Sequence, residues 1–186
     1  TQRDVNSDRV SVKDFGAVGD GVTDDTAAFQ KAVNSGYKIF IPVGEYLLDT
    51  VYLDRAGLFL EGESSLDTIL IAKESSGYVL DVLYGTLGKM SNFQMIGNSI
   101  KDGGIRLGCH TEIKENSQNP ATITSRYSAG ILENIYIHEF KNPSSGHGIN
   151  LSRVQNTEVQ GCFIIHNTVG VYRPDLGFCT STKFSG

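Results

Sequence analysis

The chain has no tryptophan and only three cysteines in 186 residues. Cys109, Cys162 and Cys179 are odd in number and lack metal-ligand spacing, so neither a disulfide framework nor a zinc site organises the fold. Cys162 lies in an apolar stretch and reads as a small buried hydrophobe. Positive charge is also in short supply. Sixteen Lys and Arg face 21 Asp and Glu, a net charge of −5, which argues against nucleic acid as a partner. No apolar run reaches the length of a membrane span, so membrane insertion is not expected. Thr1–Asp8 is polar, is not a signal peptide and reads as a lead-in. The remaining residues 9–186 are enough to bury one core and read as one domain. Few tight Asn-Gly or Asp-Gly hairpin signals separate the apolar runs, which argues against a β-sandwich.

Glycine, in contrast, is abundant, with 21 residues. The most informative stretch is Val10 to Val33. Val10 and Val12 alternate with polar neighbours, as in a half-buried strand. Gly16, Gly19 and Gly21 then supply turn conformations. A helix is expected from about Thr23 to Asn34, with Thr23 as N-cap and Asp24 and Asp25 in the first turn. Its apolar face would be Ala28, Phe29, Ala32 and Val33.

Beyond the helix, four segments repeat: RAGLFLEG from Arg55, MSNFQMIG from Met90, LENIYIHE from Leu132 and VQGCFIIH from Val159. Their third residues, Gly57, Asn92, Asn134 and Gly161, are the types that most readily adopt left-handed angles, and would bend the strand. Leu58 and Leu60, Phe93 and Met95, Ile135 and Ile137, and Cys162 and Ile164 would then point inward. Phe59, Gln94, Tyr136 and Phe163 would form an outward ladder. A second repeat places Gly77, Gly104, Gly148 and Gly170 before β-rich triplets. The step from Gly148 to Gly170 suits one coil, and the polar stretch Lys114–Pro120 reads as an insertion. Together these features predict an all-β, parallel β-helix solenoid, whose coils must stack to bury their apolar edges.

The order DFGAxGDGxTDDTxAFxxA, over Asp14–Ala32, resembles the entry segment of the pectate lyase superfamily. The resemblance implies a right-handed parallel β-helix whose first turn is capped by the helix. Within that superfamily the chain looks most like bacteriophage tail spike and tail appendage proteins. It is also similar in its opening to secreted polygalacturonases, pectate lyases and glucanases. The phage likeness implies a virion location, a homotrimer and a bacterial surface polysaccharide as partner, attached to and in some cases cleaved. The alternatives are a secreted polysaccharide lyase or glycoside hydrolase, and a purely structural trimer module. Cys179–Gly186 shows no capping element, so the expectation is a piece of a longer spike, with room for an active site in the remainder.

Glycoside hydrolysis needs two carboxyl groups facing one bond. Glu133, Glu139, Glu158 and Asp175 lie near the best coils, yet no rung presents a clear pair. Glu133 and Glu139 are the leading catalytic candidates. Asp20, Asp24 and Asp25 lack the spacing of a calcium loop and read as helix-capping residues, so no metal or other cofactor is implied. His110, His138, His147 and His166 form no zinc-type pair, although His138 and His166 read as outward neighbours. Tyr136, with His138 and Glu139 beside it, is the candidate glycan-binding group, a ring for stacking and two polar groups for hydroxyls.

Overall fold

In a computed structural model, residues 9–82, 88–108, 128–151, 154–172 and 183–185 are described. Thr1–Asp8, Cys109, His110, the stretch Lys114–Pro120, Asp175 and Cys179 lie outside the described residues. The first strands are β1 (Arg9–Ser11), β2 (Asp20–Asp24), β3 (Lys38–Ile41), β4 (Gly44–Leu48) and β5 (Val51–Leu53), with helix α1 (Thr26–Ser35) between β2 and β3. Next come β6 (Phe59–Gly62), β7 (Thr68–Ala72), β8 (Tyr78–Val82), β9 (Lys89–Ile96) and β10 (Gly103–Leu107). The last are β11 (Ser128–His138), β12 (His147–Leu151), β13 (Val154–Gln160), β14 (Phe163–Ile165), β15 (Val169–Tyr172) and β16 (Lys183–Ser185).

These strands form two sheets, one of eleven strands and one of five, ordered β15-β12-β10-β8-β5. Strands paired across successive passes run parallel. The chain travels through two stretches of the larger sheet, crosses to the smaller one and returns. Each pass therefore lays its residues on those of the pass before. Among the described residues, no helix is long and apolar enough to cross a membrane.

The core between the sheets is built from columns of equivalent residues. Ile39, Leu60, Met90, Leu132 and Val159 stack on one wall, and Tyr46, Leu70, Met95 and Ile137 on the next. Leu80, Ile105 and Ile149 stack on the third. All are buried, and removing each such apolar side chain from water contributes about 1.5–3 kcal/mol.

In three passes the bend between the first two stretches lies where the sequence placed it: Asn92 has φ 61°, Asn134 φ 52° and Gly161 φ 59°. Gly57 is also left-handed, at φ 76°, but it precedes β6 rather than sitting at that bend. The expected inward residues are buried, apart from Cys162 and Ile164, which are partly buried against the same core. Asn134 Nδ2 donates to Asn92 Oδ1 at 3.4 Å. The two asparagines stack between glycines. A Cβ on Gly62 would lie 2.0 Å from the Asn92 carbonyl oxygen, and one on Gly161 would lie 2.6 Å from Asn134 Oδ1.

Three local expectations are corrected. The first repeat is out of register: Phe59 pairs with Lys89, not Gln94, and Ile69 of β7 occupies the position facing Gln94. Gly62, rather than Gly57, thus sits over Asn92, because this pass uses two strands where β9 is one bent strand. In the second repeat, Gly104 lies beside Val79 instead of Gly77, since Gly103 pairs with Tyr78. The alignment of Gly148 with Gly170 holds.

The helix begins later than expected. Residues Asp20–Asp24 pair with β4 as β2, α1 starts at Thr26, and Val12 belongs to a 3-10 turn rather than to β1. Each aspartate has its own task. Asp20 accepts from the backbone N–H groups of Val22 and Thr23. Asp24 Oδ1 accepts from the N–H and hydroxyl of Thr26. Asp25, only 2% exposed, turns back to accept from Val18 and Gly19, so its side chain does not cap the helix. The expected face of Ala28, Phe29, Ala32 and Val33 is buried, and Phe29 meets Tyr46 edge-on with ring centres 5.2 Å apart.

One buried charge ties three passes together. The Lys101 side chain is wholly enclosed, and its Nζ donates to Asp49 Oδ1 (2.7 Å), Thr50 Oγ1 (3.3 Å), Ser75 Oγ (2.9 Å) and the Ser76 carbonyl (3.2 Å). A buried ammonium is tolerable only when its protons are satisfied in this way. The same hydrogen bond from Lys101 holds the Asp49 carboxyl below its ordinary pKa.

Replacing Asn134 tests the bend. A β-branched residue pays about 1–2 kcal/mol in the left-handed region, so Asn134→Val should lower the unfolding free energy measured in urea by about that amount, whereas Asn134→Gly should change stability far less. Equal losses in the two variants would show that the backbone angle is not what matters there.

Candidate functional site

The outer face of the larger sheet carries two columns beyond the bend. One is Glu45, Ile69, Gln94, Tyr136 and Phe163; the other is Leu47, Ile71, Ile96, His138 and Ile165. Alternation along β11 sends Ile135 and Ile137 into the core and Tyr136 and His138 outward. Parallel pairing then puts Phe163 directly beside Tyr136, with ring centres 4.6 Å apart and planes 14° apart. Phe163 is 52% exposed, so the pair presents an aromatic surface to water.

Glu139 follows β11 with φ 65°, a left-handed angle that aims its side chain back over the next pass. It pairs with Lys141 and lies 3.5 Å from His166 Nδ1. The Lys141 hydrogen bond keeps the Glu139 carboxyl below its ordinary pKa, so it is ionised at neutral pH. These three residues, with Asn167 and Thr168, line an open depression of about 530 Å³. Tyr136, His138 and Glu139 therefore end up on neighbouring positions of one surface. His138 faces Ile165 instead of His166.

Glu133 lies on the other side of the Asn134 bend, between Ser91 and Gln160, and is paired with Lys89. Glu133, within β11, and Glu139, just after it, thus lie on opposite sides of the Asn134 bend, each with its own cation. The arrangement does not assemble them around a common bond.

A second cluster, which the sequence reading did not single out as a site, covers the outer face of the five-stranded sheet. Asn150 Nδ2 donates to the Tyr78 hydroxyl (2.6 Å), which lies 2.7 Å from His147 Nδ1. The His147 ring stacks on Tyr172, centres 4.3 Å apart. Arg106 spans the Tyr78 ring at 4.8 Å and pairs with buried Asp81. Tyr78 can lean towards His147 because the residue between them is Gly103; a Cβ there would lie 2.7 Å from the tyrosine ring. Burial lowers the His147 pKa, with Asp102 opposing, and raises that of Tyr78. The imidazole is therefore mainly neutral at pH 7, and with Asn150 donating to the Tyr78 hydroxyl the network assigns that hydroxyl's own hydrogen bond to Nδ1 and the ring proton to Nε2. Tyr78 and His147 are 69 residues apart, and only the repeated Gly-x-β pattern hinted at their neighbourhood.

Residues 9–84, less than half of the chain, are similar to the family described as rhamnogalacturonase A/epimerase, pectate lyase-like. Relatives of the chain include the pre-neck appendage protein of Bacillus phage phi29, 33% identical over 101 residues, covering 50% of this chain and 12% of the relative. The tail spike protein of Shigella phage Sf6 is 30% identical over 116 residues, or 55% of this chain and 19% of the relative. The chain thus spans less than a fifth of these relatives. Among solved structures, the A-module of the Azotobacter vinelandii mannuronan C-5 epimerase AlgE4 superposes with a TM-score of 0.71 at 21% identity, covering 96% of this chain and 50% of that one. At that identity the likeness establishes a shared fold.

The depressed His147 pKa has a definite sign. A histidine that is harder to protonate when folded adds stability above its unfolded pKa, near 6.5, and that stability is lost as pH falls through the folded pKa. Following the imidazole protons by NMR should show His147 titrating below 6.5; titration at or above that value would show that burial does not outweigh the Asp102 carboxylate there.

Proposed function

We propose that this chain is part of a bacteriophage virion appendage that attaches to a bacterial surface polysaccharide, built on a right-handed parallel β-helix. The similarity to phage appendage and tail spike proteins supports the virion assignment. The parallel two-sheet architecture and its likeness to the epimerase A-module support the helix. What carries the attachment reading is the Tyr136–Phe163 stack beside the Glu139–Lys141–His166 depression. A sugar ring is amphipathic: its axial C–H face packs on an aromatic ring while its hydroxyls take hydrogen bonds from charged and amide groups. Tyr136, His138 and Glu139 are the residues assigned to that contact.

Attachment, with no cleavage by these residues, fits the separation of Glu133 from Glu139. Catalysis would need carboxylates placed about one bond. The same appendage reading includes a homotrimer. Phe59, 43% exposed, and the outward Leu47, Ile69, Ile71 and Ile96 of earlier passes offer apolar surface for a neighbouring copy.

Losing one aromatic stacking contact costs about 0.5–1.5 kcal/mol, so Tyr136→Ala should weaken binding of host-derived oligosaccharides about 2- to 12-fold by calorimetry, with the fold intact. Unchanged affinity would remove Tyr136 from the site. Light scattering of the purified chain should give a mass three times 20.2 kDa; a monomer at high concentration would contradict trimer assembly through these passes.

A further inference from the structure

We infer that the depression lined by Glu139, Lys141 and His166 is a proton-gated anion subsite, which takes a carboxylate or phosphodiester of the ligand more tightly as pH falls. The inference rests on the attachment reading above, and adds to it the chemical group that is read and how its reading is regulated.

The backbone marks the place. Among the described residues, four that are not glycine have left-handed angles: Asn92, Asn134, Glu139 (φ 65°) and His166 (φ 55°). Asparagine accepts such angles readily and glutamate does not. Glu139 and His166 hold equivalent positions on successive passes, one residue beyond the pair His138 and Ile165. Their shared angle brings the two side chains together, with Glu139 Oε1 3.5 Å from His166 Nδ1. The floor beneath them is clamped. Asn167 Oδ1 accepts from the Phe140 N–H (3.0 Å), and Asn167 Nδ2 donates to the Ile137 carbonyl (3.0 Å). The Thr168 N–H donates to the Phe140 carbonyl at 2.9 Å. Backbone strain that the surrounding structure holds in this way is characteristic of sites that bind.

Charge supplies the gate. Glu139 is paired with Lys141, whose hydrogen bond keeps the carboxyl ionised, so this pair is neutral as a unit. The His166 side chain is 72% exposed and open to protons from solvent. Histidine is the side chain that ordinarily changes charge between about pH 8 and about pH 5. Without that proton, an anion entering the depression meets a balanced pair. With it, two cations share one carboxylate, and one positive charge is left for the ligand. Among the described residues, His138 is the other titratable group felt by Glu139, and a proton there acts in the same direction. The neighbouring pass contributes Ile96, Gly97 and Asn98, none of which titrates.

The test is calorimetry on the 186-residue chain at low ionic strength, at about pH 7.5 and about pH 5.5. The probes are a glucuronate hexasaccharide, a glycerol phosphate hexamer and, as the uncharged match, a glucose hexasaccharide. Both anions stay ionised across this range, so a change in affinity belongs to the protein. At least one anionic hexamer should bind about threefold more tightly, or better, at the lower pH, with little change for the glucose hexasaccharide. Which anion gains identifies carboxylate or phosphodiester as the group read. His166→Asn accepts the left-handed angle but cannot take up the proton, and should lose most of the gain. His166→Lys, charged at both pH values, should bind at the higher pH as the wild type does at the lower. Equal affinities at the two pH values, an equal gain for the glucose hexasaccharide, or an undiminished gain in His166→Asn would overturn the gate. Glucose hexasaccharide binding that is lost in Tyr136→Ala, with no gain for either anion, would reject the gate while sustaining the attachment surface. Absence of binding by all three hexamers would also overturn the gate, and leaves the attachment reading to be judged by Tyr136→Ala with host-derived oligosaccharides.

Discussion

The stacking in this molecule depends on a bend that three successive passes repeat at the same place. Asn92, Asn134 and Gly161 each break the alternation of a strand with a left-handed residue and turn the chain around the core. The position is crowded. Gly62 lies against the Asn92 carbonyl and Gly161 against the Asn134 side chain, so the asparagine stack is bounded above and below by residues without a Cβ. Because the bends coincide, the parallel ladders on both sides stay in register. The inward columns of leucine, isoleucine and methionine then follow automatically. A slip of one residue would turn each column to the solvent, which is why a sequence of such uneven loops still specifies one alignment.

The same geometry multiplies polar interactions as well as apolar ones. Lys101 is enclosed by groups from two earlier passes, reached at separations of 25 to 52 residues. A cation so enclosed would be intolerable without partners for its protons. Here the stacking supplies a carboxylate, two hydroxyls and a carbonyl within hydrogen-bond range. The clamp lies at the corner leading to the five-stranded sheet, and it fixes the edge on which the Tyr78–His147 network is built.

The family match covers residues 9–84, where the fold is started. That span contains the glycine turns, the buried Asp25 and the helix over the end of the core. The exposed surfaces with recognisable chemistry belong mainly to later passes, from β11 onward, outside that span. Alternate residues face the core or the water, and packing constrains only the former, so the outward columns can differ while the fold is kept. This division explains how one architecture can present an epimerase module in one protein and an appendage in another.

Much of this was legible in the sequence. Asn92 and Asn134 announced the bend because few residue types accept left-handed angles, and the alternation after them named the buried residues on each pass. Tyr136 and Phe163 followed as an outward pair from the same count. The reading failed where local signals competed. Gly57 does have a left-handed angle, yet it is not the stacked bend, since tertiary pairing selected Gly62. Three aspartates looked like one capping run, but pairing of Asp20–Asp24 with β4 drew them into a strand and turned Asp25 inward to the glycine loop. Only the repeated glycines hinted at the neighbourhood of Tyr78 and His147, and nothing local marked their hydrogen bonds with Asn150. Its members lie on different passes, and Gly103 matters only because a ring crosses above it. The sequence by itself determined backbone angles and inward faces, which depend on near neighbours and on a period of two. Which distant side chains meet was decided by the tertiary structure, because parallel stacking with loops of unequal length sets neighbours by register rather than by separation along the chain.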